Sequence, residues 1–188
     1  EQDVIGRRSI FLRMGNSGIR LPASEDDLNS YIGSRAPDSS NHFVYVLECE
    51  NPTEEKIRER AKRLFPPKTQ DEVREFLQEE NPKFSDEFTE QEISNVLERE
   101  SGFNPPSWVH NAIRAEEIYY VGYSPDVATR VAEHLGGTES GGAYFTEVVP
   151  PTKLCEVNGY ETKDEALEAE TETGRDLIDL PEILVYWF

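Results

Sequence analysis

A chain of 188 residues is long enough for one core of ordinary size and short for two independent ones, so one principal domain with an appendage is expected. Its 38 acidic residues are twice its 19 basic ones, for a formal charge of −19, but runs such as FVYVL, IYYVG and ILVYWF exclude a disordered acidic polymer. There is no apolar run of about twenty residues and no basic-then-apolar leader, which argues against secretion or a membrane span and makes a cytoplasmic protein the expectation.

Residues 1–41 read as an N-terminal extension: RSIFLRM, a turn at GNSG, IRLP, and a short helix-like piece SEDDLNSYIG with Ser24 as N-cap. Arg7, Arg8, Arg13 and Arg20 make this the most basic stretch of an acidic chain, a hint at phosphate contact. HFVYVLEC, 42–49, is apolar and β-branched as a buried strand is. Residues 51–117 then read as a helical insertion. Ile57, Ala61, Leu64 and Phe65 recur at helical spacing until Pro66 and Pro67, and Thr69 with Glu72 and Thr89 with Glu92 form capping boxes for two more helices. PPSWVHNAI supplies a fourth, short one.

IYYVGY at 118–123 returns to strand character, and Ser124 followed by Pro125 predicts a helix start, with the helix running to Leu135 and closed by GGTESGG. AYFTEVV and TKLCEVNGY both read as strand material. Thr162 and Glu165 make a third capping box, for a helix to about Ile178, and EILVYWF ends the chain as a strand or buried tail. Cys49 and Cys155 lie in apolar strand-like runs and are expected to be small buried hydrophobes, not a disulfide.

Two helices carry residues that an ordinary surface does not call for. On the first, Val127, Val131 and Leu135 form an apolar stripe, and Arg130 and His134, four apart, stand together on its flank. The pair either serves a site or bridges local carboxylates. On the second, Ala166, Leu167, Gly174, Leu177 and Ile178 define an inward face with Glu170 in its middle. A carboxylate aimed inward is disfavoured unless it meets a metal or a cation such as Arg130. No GxxxxGK, CxxC, HExxH or GxSxG pattern occurs, so zinc chemistry and serine hydrolysis drop out. An arginine, a histidine, an inward glutamate and phenols suit metal-assisted phosphodiester cleavage.

VYVL at 44–47, YVG at 120–122, Arg130 ten and His134 fourteen positions past Tyr120, GGA with Thr146 soon after, and EALEAE ending at Glu170 together resemble the GIY-YIG endonuclease core. The resemblance implies an α+β fold: a small three-stranded antiparallel sheet flanked by helices, here with a helical insertion between the first two core strands, the whole domain spanning 42–188. It further implies that Tyr45 and Tyr120 converge on a scissile phosphate, that a tyrosine takes the proton of the attacking water, that Arg130 contacts the phosphate, that His134 assists, and that Glu170 binds Mg2+ or Mn2+. Tyr119 is expected on the opposite face, in the core. An unperturbed phenol is a poor base at neutral pH, and nearby positive charge from Arg130, His134 and the metal is expected to favour its phenolate.

The departures are VYV in place of Gly-Ile-Tyr, Ser124 in place of a threonine, Glu147 where some relatives carry a basic residue, and the 75 positions between Tyr45 and Tyr120. The expected function is therefore a divalent-metal-dependent endonuclease acting on DNA in repair, recombination or defence. The alternatives are a catalytically silent nucleic-acid or protein interaction module, with the insertion as the partner surface, and a plain domain in which Glu170 pairs with Arg130. The insertion leaves and re-enters between the two tyrosine-bearing strands and is expected to shape the nucleic-acid groove. An acidic, lysine-poor surface around a normal core suits molar salt, so a halophilic, archaeal source is expected, with an acidic protein for basic partners as the alternative. In molar salt the Debye length of about 3 Å removes most long-range repulsion between such a chain and a phosphate backbone.

Overall fold

The computed structural model describes residues 18–37, 39–137, 141–178 and 183–187, without the side chains of residues 85 and 86. Arg7, Arg8, Arg13 and RSIFLRM lie outside the described residues. The chain divides into two compact units, one within Glu1–Thr53 and Asn111–Phe188 and the other Glu54–His110.

The first unit is built on a sheet of five strands, not three. Strands β1 (Ile19–Arg20), β2 (His42–Cys49), β3 (Glu117–Ser124), β4 (Pro151–Tyr160) and β5 (Ile183–Tyr186) are ordered β1-β4-β2-β3-β5. The three expected strands are its antiparallel centre, with Tyr45 opposite Gly122 on one side and Val157 on the other. Three strands alone would leave the outer N–H and C=O groups of β3 and β4 as bare edges. Residues of IRLP close one edge, with Ile19 beside Leu154, and the C-terminal run closes the other as a parallel strand, with Glu117 beside Ile183.

Helix α1 (Glu25–Gly33) starts on the side chain of Ser24, which accepts from the Asp27 N–H at 3.2 Å. In the second unit α2 (Glu54–Leu64), α3 (Gln70–Glu80) and α5 (Glu90–Glu100) match the expected helices, and both capping boxes, Thr69–Glu72 and Thr89–Glu92, are formed. A four-residue helix α4 (Phe84–Glu87) lacks a side-chain cap bond, and its Phe84 joins Val73, Ile93 and Leu97 in a buried cluster. Helix α6 (Ser107–Arg114) leads back to β3.

Helices α7 (Val127–Gly136), α8 (Tyr144–Val148) and α9 (Lys163–Ile178) belong to the first unit. Three expectations are corrected here. Ser124 ends β3 and binds the Asp126 backbone, while the N-cap of α7 is Asp126, whose carboxylate accepts from the Thr129 N–H at 3.0 Å and the Thr129 hydroxyl at 2.8 Å. AYFTEVV is not strand but the short helix α8, because burying both Phe145 and Val148 on one side requires a spacing of three. Leu135, Leu167 and Ile178 are exposed. The buried stripe of α9 is narrower than expected, Ala166, Glu170, Gly174 and Leu177, and Leu167 and Ile178 fall at its margin.

Alternation along β2 and β3 separates two faces. Val44, Val46, Tyr119 and Val121 pack with Cys155 and with Ala166 and Leu177 of α9. Tyr119 is thus core, and Cys49 and Cys155 are free and buried. No helix among the described residues is long and apolar enough to cross a membrane.

Candidate active site

The opposite face of the same two strands carries the phenols. Tyr45 pairs with Gly122 and Leu47 with Tyr120, so the two tyrosines are diagonal neighbours, their rings 6.2 Å apart and 29° from parallel. Gly122 makes this possible: a Cβ there would lie 2.5 Å from the Tyr45 hydroxyl and 2.7 Å from the Tyr120 ring. The strand needs its glycine for space, with both phenols taking up the volume a side chain would fill.

Helix α7 lies against this face through Val127, Ala128, Val131 and His134. His134 therefore sits in the buried stripe, at i+7 from Val127, and not on its flank as the spacing of Leu135 suggested. Its ring meets Tyr120 edge-on at 4.6 Å, and its Nε2 lies 2.9 Å from the Tyr45 Oη. Its Nδ1 lies 3.1 Å from Thr146 Oγ1 on α8, and the Thr146 hydroxyl donates to the Ala143 carbonyl at 3.0 Å. Phe145 and Tyr186, stacked on one another at 4.5 Å, close the aromatic wall beside Tyr120. Sequence reasoning assigned no role to Thr146, Phe145 or Tyr186. The only signal was the position of Thr146 shortly after GGA.

Arg130, one turn before His134, is partly exposed. Its Nη1 donates to Glu133 Oε2 at 2.6 Å and to the Gly141 carbonyl at 2.7 Å. The local carboxylate bridge is therefore real, but at this exposure it is worth no more than about 1 kcal/mol. The same guanidinium lies near enough to both phenols to lower their pKa values through its charge. Three of the five expected residues, Tyr45, Tyr120 and His134, are thus in mutual contact, with Arg130 near enough to act on all three by charge.

Burial sets the protonation states. Desolvation pushes Tyr45 well above the usual phenol value and Tyr120 above it as well, with the Arg130 charge acting the other way and losing. Desolvation, then the Arg130 charge, lowers His134 to about 4. At neutral pH both tyrosines are phenols and the imidazole is neutral. Burial thus works against the expectation that His134 adds positive charge, and against a phenolate at either tyrosine.

Glu170 is 6% exposed on the buried stripe of α9, close enough to Tyr120 to raise its pKa through charge. Burial raises its own pKa, and a hydrogen bond from the Tyr123 backbone N–H opposes that. The ion pair of Arg130 is with Glu133, and among the described residues no cation bridges Glu170. No group of three or more His, Cys, Asp or Glu side chains gathers among the described residues as a metal cage would require. A single buried carboxylate without a counter-ion still fits Mg2+ or Mn2+, because such an ion keeps several waters and takes substrate phosphate oxygens alongside one or two carboxylates.

Comparison with known proteins covers part of this region. Residues 110–176 match the GIY-YIG catalytic domain, a segment that carries Tyr120, Arg130, His134 and Glu170 and stops short of Tyr45. Over 52 residues, 28% of the chain and 50% of the relative, the sequence is 40% identical to the UPF0213 protein spr1390 of Streptococcus pneumoniae. Over 56 residues, 30% of the chain and 58% of the relative, it is 43% identical to the UPF0213 protein H16_B0156 of Cupriavidus necator. The chain thus spans about half the length of the curated relatives it matches. No solved structure matches it.

Proposed function

We propose that this protein is a divalent-metal-dependent endonuclease that hydrolyses DNA phosphodiester bonds at the cluster of Tyr45, Tyr120, Arg130, His134 and Glu170. One observation supports this above the rest. Tyr45 lies outside the matched segment and 75 positions from Tyr120, yet it is seated against Tyr120 and within 2.9 Å of His134. A chain that had abandoned the chemistry would have little reason to bury a phenol against an imidazole across so long an interruption.

The Tyr45–His134 contact supports a concerted proton route, which requires substrate and water to open a way to Tyr45, 0% exposed in the free protein. The water's proton passes to Tyr45 Oη while the Tyr45 proton passes to His134 Nε2, so neither a free phenolate nor a free imidazolium has to exist beforehand. The hydroxide forms a bond to phosphorus as the bond to the leaving oxygen breaks, and Arg130 opposes the charge that develops on the phosphoryl oxygens. Glu170 would hold Mg2+ or Mn2+, which when bound polarises the phosphate and stabilises the leaving oxygen. Because the −19 charge repels a phosphate backbone in dilute buffer, the proposal includes a requirement for high salt, as in a halophilic host.

The test is cleavage of labelled duplex, branched and single-stranded DNA in molar potassium chloride with magnesium or manganese, comparing wild type with Glu170→Ala. Metal-dependent cutting that disappears in the variant is the expected result. A folded wild type that cuts none of these substrates overturns the proposal in favour of a binding module.

A further inference from the structure

Resting on the nuclease reading, a second question is how His134 comes to face Tyr45 with a bare nitrogen. A neutral imidazole has one N–H and one acceptor nitrogen, and the partners of the two nitrogens decide which is which. Nδ1 faces Thr146 Oγ1 at 3.1 Å, and Nε2 faces Tyr45 Oη at 2.9 Å. Thr146 has a single hydroxyl proton, directed at the Ala143 carbonyl 3.0 Å away. With that proton committed, the threonine oxygen offers Nδ1 only lone pairs, so Nδ1 carries the ring proton. Nε2 is then the acceptor, and the Tyr45 hydroxyl donates to it.

The reverse tautomer fits less well at both ends. It aims an Nε2–H at the Tyr45 oxygen, so that the phenol proton no longer has the imidazole as its acceptor. It also draws the threonine proton away from Ala143, whose carbonyl would keep only a 3.3 Å bond from the Glu147 N–H. His134 and Thr146 are each 1% exposed, so bulk water does not stand in for either partner.

We propose that Thr146 is a positioning residue of the cleavage reaction: it holds His134 in the Nδ1–H tautomer, leaving Nε2 to take the proton of Tyr45. Valine at this position keeps the shape and removes the acceptor. Serine keeps the acceptor.

The test uses the full chain labelled with 15N-histidine, as wild type, Thr146→Val and Thr146→Ser. Long-range 1H–15N correlation at neutral pH reads the tautomer of each of the three histidines, with His134 assigned through His134→Gln. Expected are an Nδ1–H imidazole in wild type and Thr146→Ser, and loss of that state in Thr146→Val. With it, kcat for DNA cleavage should fall about 10- to 100-fold in Thr146→Val, with KM little changed and Thr146→Ser near wild type. An Nε2–H tautomer in wild type overturns the proposal, as does a Thr146→Val protein with an unchanged tautomer or an unchanged kcat. If Thr146→Val does not fold, the wild-type tautomer and the Thr146→Ser kinetics still decide. A wild type that cuts nothing removes the catalytic role together with the nuclease reading, whereas a wrong tautomer in a cutting enzyme removes the positioning role alone.

Discussion

The two faces of the β2–β3 pair are made by the same strands and do different work. Tyr119 and Tyr120 are adjacent, but Tyr119 packs with Val44, Val46 and Val121 and donates its hydroxyl to Glu117, whereas Tyr120 meets Tyr45, His134 and Phe145. The apolar face gains about 1.5–3 kcal/mol for each large side chain it buries. The other face buries phenol and imidazole groups that are tolerated only because each finds a partner. Strand alternation therefore places the candidate site on the opposite side of the sheet from a core it does not disturb. Only Glu170 brings a carboxylate in from the helix that covers the apolar side.

The sharpest test of that division pairs two adjacent tyrosines with Tyr45. Tyr45→Phe and Tyr120→Phe should lower DNA cleavage by about 10²- to 10⁴-fold, while Tyr119→Phe leaves kcat near wild type. Equal losses in steady-state assays of all three would erase the functional distinction between the faces. A second test uses pH. The His134 value of about 4 in the folded protein lies below the unfolded value of about 6.5, so the unfolded chain takes up the proton first as pH falls. This contribution to stability is complete above pH ~6.5 and is lost between there and pH ~4, by up to about 3 kcal/mol. Urea melts across that window should be steeper in pH for wild type than for His134→Gln.

Two glycines give a smaller and more local contrast. Gly122→Ala forces a Cβ onto both phenols and should cost about 1–3 kcal/mol in stability together with a loss of cleavage. Gly174→Ala crowds Trp187 instead and is expected to cost a similar amount with kcat unaffected, as thermal melts and cleavage assays on the same preparations would show. The smallest change in stability is expected at Glu170. Burial raises its pKa, so charging it opposes folding once the pH exceeds the unfolded value of about 4.3. Glu170→Gln should therefore stabilise the protein by about 0.5–2 kcal/mol at pH 7, lose that advantage below about pH 4, and abolish cleavage. A destabilised Glu170→Gln would mean that the carboxylate is a structural group and not one held for the reaction.

Much of this was readable from local spacing. The caps at Ser24, Thr69, Thr89 and Thr162, the inward position of Glu170, and the neighbouring Arg130 and His134 all follow from a periodicity of 3.6 and from short-range hydrogen bonds. Where local signals competed, the reading failed: Ser124 and Asp126 are both good caps, and AYFTEVV has the aromatic and β-branched content of a strand although its burial demands a helix. Leu135 is more apolar than His134 and is nevertheless the exposed one, because His134 finds Tyr45 and Thr146 and hydropathy does not register such partners.

By itself the sequence determined which residue types were available, on which kind of element, and with which neighbours along the chain. Only the tertiary structure decided that Tyr45 closes on Tyr120 across 75 positions, that two extra strands cover the sheet edges, and that His134 is buried with its two nitrogens facing Thr146 and Tyr45. The reason is physical: helix and strand periods are written into adjacent residues, whereas strand pairing, desolvation and proton placement belong to groups that meet only when the chain is folded.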